Sequence, residues 1–598
     1  MNSLLLFILL TVSPFQIDEV EVVAERTEPT DAFRVIAQIN HDEIQSLPVS
    51  NIADILAYLP GIDVRSRGAS SAQSDISVQG GTFDQMQVLL NGINISDAQT
   101  GHYTMNIPIT PALIERIEIL QGAINIVTRD SQTDRYTLQM SAGTNADVHP
   151  AFGGSWNRRD VHINTSAEYI GSNGYYAPQA NEKEQQALQN TDFRIANIYL
   201  QTRWKGMDVQ AGAQYKDAGL GTGYGYASTD QFDATRTVFV SAKQESYIGR
   251  QWSIMALMAY RGQYDRYEWH RGTVSNRHWT HNTQATLQAN YTSVIGRTTL
   301  GAAFKDEFIS SSNMGTHNRW QVTLNAEQNI RWRGLTASVG LAEQYNSWIG
   351  WNTFGNAHIG YEFARTGSII LSASRSLRIP TWTDLFYKAG VQRGNAELKA
   401  EKAWRLALKS QYTWLWEKAG SLHLAGEVYY RWGKDVIDWN YNETDSLYYA
   451  TNQNTVNAFG IDLLATYRYN KWLRRLTVRY AYTTLSTDVT QTKSQYLDYL
   501  RHKVSLHLDH GIYVWDKGCI GADWSLRWQA REGAYVDIYG VPGNTFKPVL
   551  LLDGSLYAEL PHIRVALECQ NMTNRHYYDY GGILMPGIHG ALSLQADF

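Results

Sequence analysis

The 598-residue chain has only two cysteines, Cys519 and Cys569. They lie far apart with no companion ligand spacing, so neither a zinc site nor a disulfide framework is supported. Strong charge of one sign is also missing: a formal net charge of −5 gives a nucleic-acid partner no electrostatic support. The 13 prolines and 47 glycines do not mark a collagen-like or linker-dominated chain. Hydrophobic content of 43% against 18% charged residues excludes wholesale disorder. Beyond the leader no stretch approaches about 18 uninterrupted apolar residues, so a transmembrane helix is excluded. If this chain enters a membrane, strands must carry it.

What is abundant is aromatic: 37 Tyr and 19 Trp. Such amphipathic rings collect where apolar and wet surroundings meet, membrane boundaries included. The first stretch, MNSLLLFILLTVSPFQ, has an apolar run from Leu4 to Leu10, too short to span as a helix, and is expected to be a secretory signal over residues 1–16. It has no leading Lys or Arg and no small-x-small cleavage site.

Two textures follow. Up to about Asp130 helix and strand signals mix. Ile44, Leu47, Ile52, Ile55, Leu56 and Leu59 fall at helical separations, Asn51 suits a cap, and QVLLNGINI carries an Asn-Gly turn before the strand IERIEIL. This reads as a compact α+β domain over residues 30–130. From Ser131 onward alternation replaces helical periodicity. In SLHLAGEVYYRW, Leu422, Leu424, Gly426, Val428 and Tyr430 share one face, and His423, Ala425, Glu427, Tyr429 and Arg431 the other. The terminal Leu592, Leu594, Ala596 and Phe598 alternate with Ser593, Gln595 and Asp597 in the same way. Faces carrying this much charge are too polar for a sandwich core.

The connections alternate as well. Counted back from the terminus, long ones at about 571–589, 531–546, 484–501 and one ending near Asn457 interleave with short ones at 560–562, 516–518, near 470–471 and 417–421. Tight turns on one rim and extended loops on the other are the mark of an outer-membrane barrel. The polar face then lines a wet interior and the apolar face meets lipid, and closure satisfies every backbone group without water. The expected fold is mainly β: a large antiparallel transmembrane barrel of about 22 strands over residues 131–598, roughly 21 residues per strand and connection, with an N-terminal α+β plug; counting alone leaves barrels of about 16 or 18 strands with longer loops open.

With that architecture in view the motifs become legible. IADILAYLPGIDV, ISVQGG, VLLNGINISD, IERIEILQG and AINIVT, followed by RSLRIPTWTDLFY, GNAELKAEKAW, NMTNRHYYDYGG and the terminal LSLQADF, resemble the TonB-dependent outer-membrane transporters in type and order. The resemblance implies import of a scarce metal chelate, a cobalamin-type corrinoid or a ferric siderophore, across the outer membrane of a Gram-negative bacterium, with no enzymatic role, no resident cofactor and no metal site. It makes residues 17–29 the TonB box and linker. Asp18, Glu19, Val20, Glu21, Val22 and Val23 would add as a strand to the periplasmic domain of TonB, itself tied to an inner-membrane energising complex; a leading strand of the plug is the competing role. Outer-membrane lipid is a further partner, and a surface lipoprotein is left open.

Two departures from the family pattern stand out. Gly122 joins Ala123 directly where family members carry a dozen or more extra residues, so a plug hairpin is missing or shortened. Gln79 occupies a position where arginine is common. By the same resemblance, ligand contacts are expected from Asp97, Gln99, His102 and Tyr103 on the plug apex and from Trp269, Arg393, Tyr577 and Tyr578 on rim loops, Trp269 within an aromatic and basic loop spanning Asp265 to Asn282; loop bracing is the competing role for each. No histidine lies between Thr381 and Gly394, which disfavours heme. GLGTGYGY (Gly219 to Tyr226) has glycines at every second position and no following helix, so it does not read as a dinucleotide loop. No nucleophile elbow accompanies the scattered Ser, His and Asp residues. An outer-membrane barrel enzyme, or a secreted soluble glycan-binding β-protein, is the alternative reading.

Overall fold

The structure is a computed structural model that describes residues 35–598 except 50, 69–71, 131–132, 180–181, 225–227, 365, 470–471, 489–497, 516–517, 536–542 and 582. The expected signal and the TonB box, Asp18 to Val23, lie outside the described residues. Among those described, no helix is long and apolar enough to cross a membrane.

Seven strands build the N-terminal unit: β1 (Val35–Asn40), β2 (Ile62–Ser66), β3 (Ser74–Val78), β4 (Gln87–Leu90), β5 (Ile93–Asn94), β6 (Ile114–Leu120) and β7 (Ala123–Thr128). Five form one sheet in the order β1-β6-β7-β4-β5, and β2 pairs with β3. The helical periodicity resolves into two short helices, α1 (His41–Ser46) and α2 (Ile52–Leu56), because Leu47 to Asn51 include Pro48 and the extended cap Asn51, whose side chain accepts from Asp54 N at 2.9 Å. Ile44, Ile55, Leu56, Leu59, Ile117 and Ile126 bury their side chains between helices and sheet. The Asn91-Gly92 turn has positive φ at both residues (53° and 80°), as a two-residue turn between right-twisted strands requires. Gln121 and Gly122 alone join β6 to β7, so the expected shortening is a tight hairpin with Leu120 opposite Ala123.

The rest of the chain closes on itself. Twenty-two long strands run antiparallel from Arg135–Gly143 to His589–Asp597, and the last pairs with the first through Ala591–Gly143 to Asp597–Thr137. Closure leaves no edge strand to be satisfied by lipid. The two faces divide as the alternation demands. Leu592 and Leu594 are 57% and 47% exposed on the outer surface, whereas Glu427 and Tyr429 are buried in the lumen. Outward rings form two girdles, Trp204, Trp252, Trp332, Trp416 and Trp472 at one end of the strands and Trp279, Trp320, Trp351, Trp404 and Trp432 toward the other. Leu300, Leu324, Leu341 and Leu371 lie between them, an apolar band flanked by aromatics, as a bilayer requires.

Two expected long connections are paired strand instead. The stretch Asp265 to Asn282 is the tip of a hairpin between Trp252–His270 and Thr273–Ser293, with only Arg271 and Gly272 in the turn. The connection expected to end near Asn457 is a four-residue turn between Gly420–Asn442 and Leu447–Arg468. Above the membrane both faces of a strand meet water, so the ladder continues after apolar alternation has stopped. Turns such as 205–206 and 333–334 keep one rim short; the other carries the long connections 379–400, 532–548 and 571–588 but also the short ones 144–147, 312–314 and 347–349, so long and short connections alternate only in the C-terminal part of the barrel.

Candidate functional site

The plug apex lies under the long-connection rim and is built on charge. Arg67, which follows β2, pairs with Asp75 of β3 at 2.9 Å and lies between two rings, 4.5 Å from the Tyr224 centroid and 4.0 Å from that of Tyr580. Arg65 covers the Tyr580 ring at 4.6 Å, and Tyr267 meets Tyr224 edge-on at 5.4 Å. His102 stacks on Phe83 at 4.3 Å and contacts Asp75 Oδ1 at 2.7 Å. Burial pushes the Asp75 carboxyl up, but Arg67 and His102 outweigh it and hold it at about 2. Burial, joined by Arg67, lowers the pKa of the His102 imidazole, against the opposing pull of Asp75. Tyr224 remains 40% exposed above this stack. The result is an aromatic floor stiffened from below by guanidinium groups.

The expected ligand residues fall into three groups. Asp97, Gln99, His102 and Tyr103 share one apex segment, but three of them are buried and engaged. Asp97 is ion-paired with Arg261 and accepts from Thr280 Oγ1 at 3.1 Å. Tyr103 donates to Asp233 and Asp265 at 3.2 and 3.1 Å. The backbone of Gln99 accepts from Thr383 N at 3.0 Å. Only His102 of the four reaches the aromatic floor. Trp269 stands next to the hairpin turn, where its carbonyl accepts from Ser228 Oγ at 2.5 Å, and Arg393 is half-buried and folds back on the carbonyls of Gly390 and Gln392.

Tyr577 and Tyr578 lie on the connection that also supplies Tyr580 to the floor, and Tyr578 packs against the same apolar cluster as Tyr267. Tyr577 lines a cavity of about 170 Å³ between plug and wall, with Asp54 and Asp63 of the plug, Lys503, Arg527 and Asp553 of the wall, and Asp579 and His589. Tyr578 stacks near Tyr535 at 5.0 Å. Arg65, Arg67, Tyr224, Tyr267 and Tyr580 are the site residues the sequence reading did not single out. The spacing of Arg65 and Arg67 around Ser66 was the available signal, since alternate positions on a strand share a face.

Gln79 sits at the plug's seam with the wall. Its Nε2 donates to Glu427 at 3.0 Å and to Asp462 at 2.7 Å, while its Oε1 accepts from Arg405 at 3.0 Å, and Arg405 itself pairs with Glu427. The cation of this lock belongs to the barrel, with a neutral plug side chain between the charges.

Family models decide the kinship. The TonB-dependent Receptor Plug Domain matches residues 29–131, and the TonB dependent receptor-like, beta-barrel model matches residues 125–572. The chain belongs to the TonB-dependent receptors. A large barrel of this family resides in the outer membrane of a Gram-negative bacterium, and its fold is that of transporter receptors rather than of enzymes. Among curated relatives, the vitamin B12 transporter BtuB of Vibrio vulnificus (strain CMCP6) is 28% identical over 152 residues, 23% of this chain and 25% of that protein. The match therefore spans about a quarter of that relative's length. Among solved structures, the ferric enterobactin receptor of Pseudomonas aeruginosa superposes with a TM-score of 0.75 at 14% identity, over 94% of this chain and 99% of that one. The copper transporter OprC superposes with a TM-score of 0.74 at 13% identity, over 94% and 97%. At these identities the likeness is one of fold.

Proposed function

We propose that this receptor imports a scarce metal chelate, a cobalamin-type corrinoid or a ferric siderophore, by TonB-dependent active transport. The observation that carries the reading is the apical stack of Tyr224, Tyr580 and Tyr267 around Arg67, set above a plug inside a closed barrel. A ring-rich apical surface with buried cations suits a large ligand rich in oxygen and nitrogen. The substrates named for relatives of this fold, vitamin B12, ferric enterobactin and copper, all contain a metal.

TonB would engage residues Asp18 to Val23 by strand addition, in which main-chain hydrogen bonds supply the grip. Val22→Pro removes a donor from that strand and is expected to abolish uptake while leaving ligand affinity unchanged. Uptake at the wild-type rate in that variant would refute the assigned coupling segment. The ligand class is tested by titrating the purified receptor with cobalamin and with several ferric siderophores. Saturable binding of one supports the reading, and Arg67→Ala should weaken it at least about tenfold through loss of the stacked cation. Affinity for none of them removes the metal-chelate assignment.

A further inference from the structure

Charge at the apex is matched group by group. Arg67 and Asp75, the pair that meets the Tyr224 and Tyr580 rings, are 3% and 2% exposed, so their contact is made away from water. Arg65, which covers Tyr580, is ion-paired with Asp498. Asp498 also accepts from Arg531 at 3.3 Å, and Arg531 holds Asp63 of the plug through two bonds of 2.5 and 2.6 Å. Asp579 accepts from Gln529 Nε2 at 3.2 Å, and its carbonyl accepts from Arg65 Nε at 3.3 Å. Three guanidinium groups therefore face four carboxylates, Asp63, Asp75, Asp498 and Asp579. Even a protonated His102 would bring this floor only to neutrality.

The surroundings repeat the balance. On the rim, Arg271 grips Asp192 through bonds of 2.7 and 2.8 Å, and Arg501 holds Glu532 at 2.6 Å. The cavity that Tyr577 lines has six carboxylates in its wall against the basic groups of Lys503, Arg527 and His589.

A guanidinium already bound to a carboxylate presents little net field to a further charge. A trianionic complex laid on these rings would meet no positive surplus, and to gain a cation it would have to draw Arg67 away from Asp75, leaving a buried carboxylate uncompensated. An uncharged chelate meets neither obstacle. Its amide and carbonyl groups bond to the polar edges of the floor while its body covers Tyr224, which is open above the stack. A cationic complex gains in addition from the carboxylate surplus, whose field is focused by the walls of the mouth.

We propose that the apical floor selects its chelate by net charge, accepting neutral and cationic complexes and rejecting triply anionic ferric catecholates. This selection presupposes the metal-chelate reading and narrows it. Asp75, Asp498 and Asp63 determine it by cancelling the charge of Arg67, Arg65 and Arg531, a repulsive device against the wrong ligand.

The test is equilibrium dialysis of the purified full chain in detergent against cyanocobalamin and ferrichrome, both neutral, ferrioxamine B, a monocation, and ferric enterobactin, a trianion. The wild type should bind at least one of the first three at least about tenfold tighter than ferric enterobactin. Asp498→Asn uncovers Arg65 while Asp63 keeps Arg531 paired. It should move the ratio of affinities at least about fivefold toward the trianion, and added potassium chloride should erase that gain by screening. Ferric enterobactin bound as tightly as the best of the other three overturns the charge selection and leaves the metal-chelate reading standing. Affinity for none of the probes removes that reading and the selection with it. A ratio unmoved by Asp498→Asn, in a barrel that still shows heat-modifiable migration, overturns the role given to the paired carboxylates. Should that variant fail to fold, Asp579→Asn, which removes the floor carboxylate held by Gln529, provides the reading by the same criterion.

Discussion

The two halves of the lumen wall are made of the same alternating strands and have opposite relations to the plug. On the half formed by strands 193–263 and 473–570, polar side chains reach inward and lock. Gln210 and Gln201 bond to Asn91 and Thr128, Lys216 bonds to Ala72 O and Asn106, Lys503 to the carbonyls of Leu59 and Ile62, Arg531 to Asp63, and Arg479 to Glu43. On the half formed by strands 296–378, many inward positions are Gly, Ala, Ser or Asn, and the charged Lys305 and Arg319 pair with Glu307 of the same wall rather than with the plug. Long charged side chains are useful only where a partner waits to compensate their desolvation; where the plug is short, small neutral groups leave room for water and no buried charge unpaired.

The largest way to break this contrast is Arg479→Ala. It leaves Glu43, buried on α1, without its ion pair at 2.6 Å and with Arg475 as the cation still nearby, so the loss should fall at the low end of the range for breaking a buried pair, about 3 kcal/mol. Equilibrium denaturation in detergent should show that loss, whereas Asn325→Ala on the half formed by strands 296–378 should stay within about 0.5 kcal/mol. Equal losses at the two positions would mean that the two halves hold the plug alike.

A pH titration sharpens the same difference. Burial pushes the Glu43 carboxyl up, but Arg479, Arg475 and His507 pull it down to about 2, below the ordinary 4.5. A depressed carboxylate stabilises the fold above its unfolded pKa and loses that contribution as pH falls through the folded one. Plug stability should therefore decline between about pH 4.5 and 2, by up to about 3 kcal/mol for this group. Glu43→Gln should flatten that part of the profile; an unchanged slope would assign the acid sensitivity to other carboxylates.

The barrel was legible because period-two alternation is a local property: Leu592, Leu594 and Phe598 declare their face without knowledge of any partner. The Asn91-Gly92 turn and the Gln121-Gly122 junction were legible for the same reason. Strand length at the hairpin tip was not, because Arg266 to Arg277 stay paired although no run of alternating apolar side chains marks them as strand in the sequence. The site was harder still. Asp97 and Tyr103 are of types that bind ligands, yet here they engage Arg261, Asp233 and Asp265, positions 130 to 164 residues away. Pairing across that separation is set by closure of the barrel, which no short window of sequence encodes.

The seam at Gln79 offers the smallest and most discriminating change. In family members an arginine is common here, and this chain has instead placed Arg405 on the barrel, within reach of Gln79 and Glu427. Gln79→Arg would bring a second guanidinium between Glu427 and Asp462, gaining charge-assisted bonds but setting two cations side by side. Because the gain and the repulsion act on the same carboxylates, the net effect should lie within about 1 kcal/mol of zero. Arg405→Gln alone removes a cation from Glu427 and Asp462 and should destabilise by more. The double variant returns the cation to the plug side and should recover most of that loss, so a double-mutant cycle should give a favourable coupling of about 0.5–3 kcal/mol. Additive single effects would show that Gln79 and Arg405 do not share one lock, and that the plug on this side is held by Arg431, through Gln85 Oε1 and Gly80 O, instead.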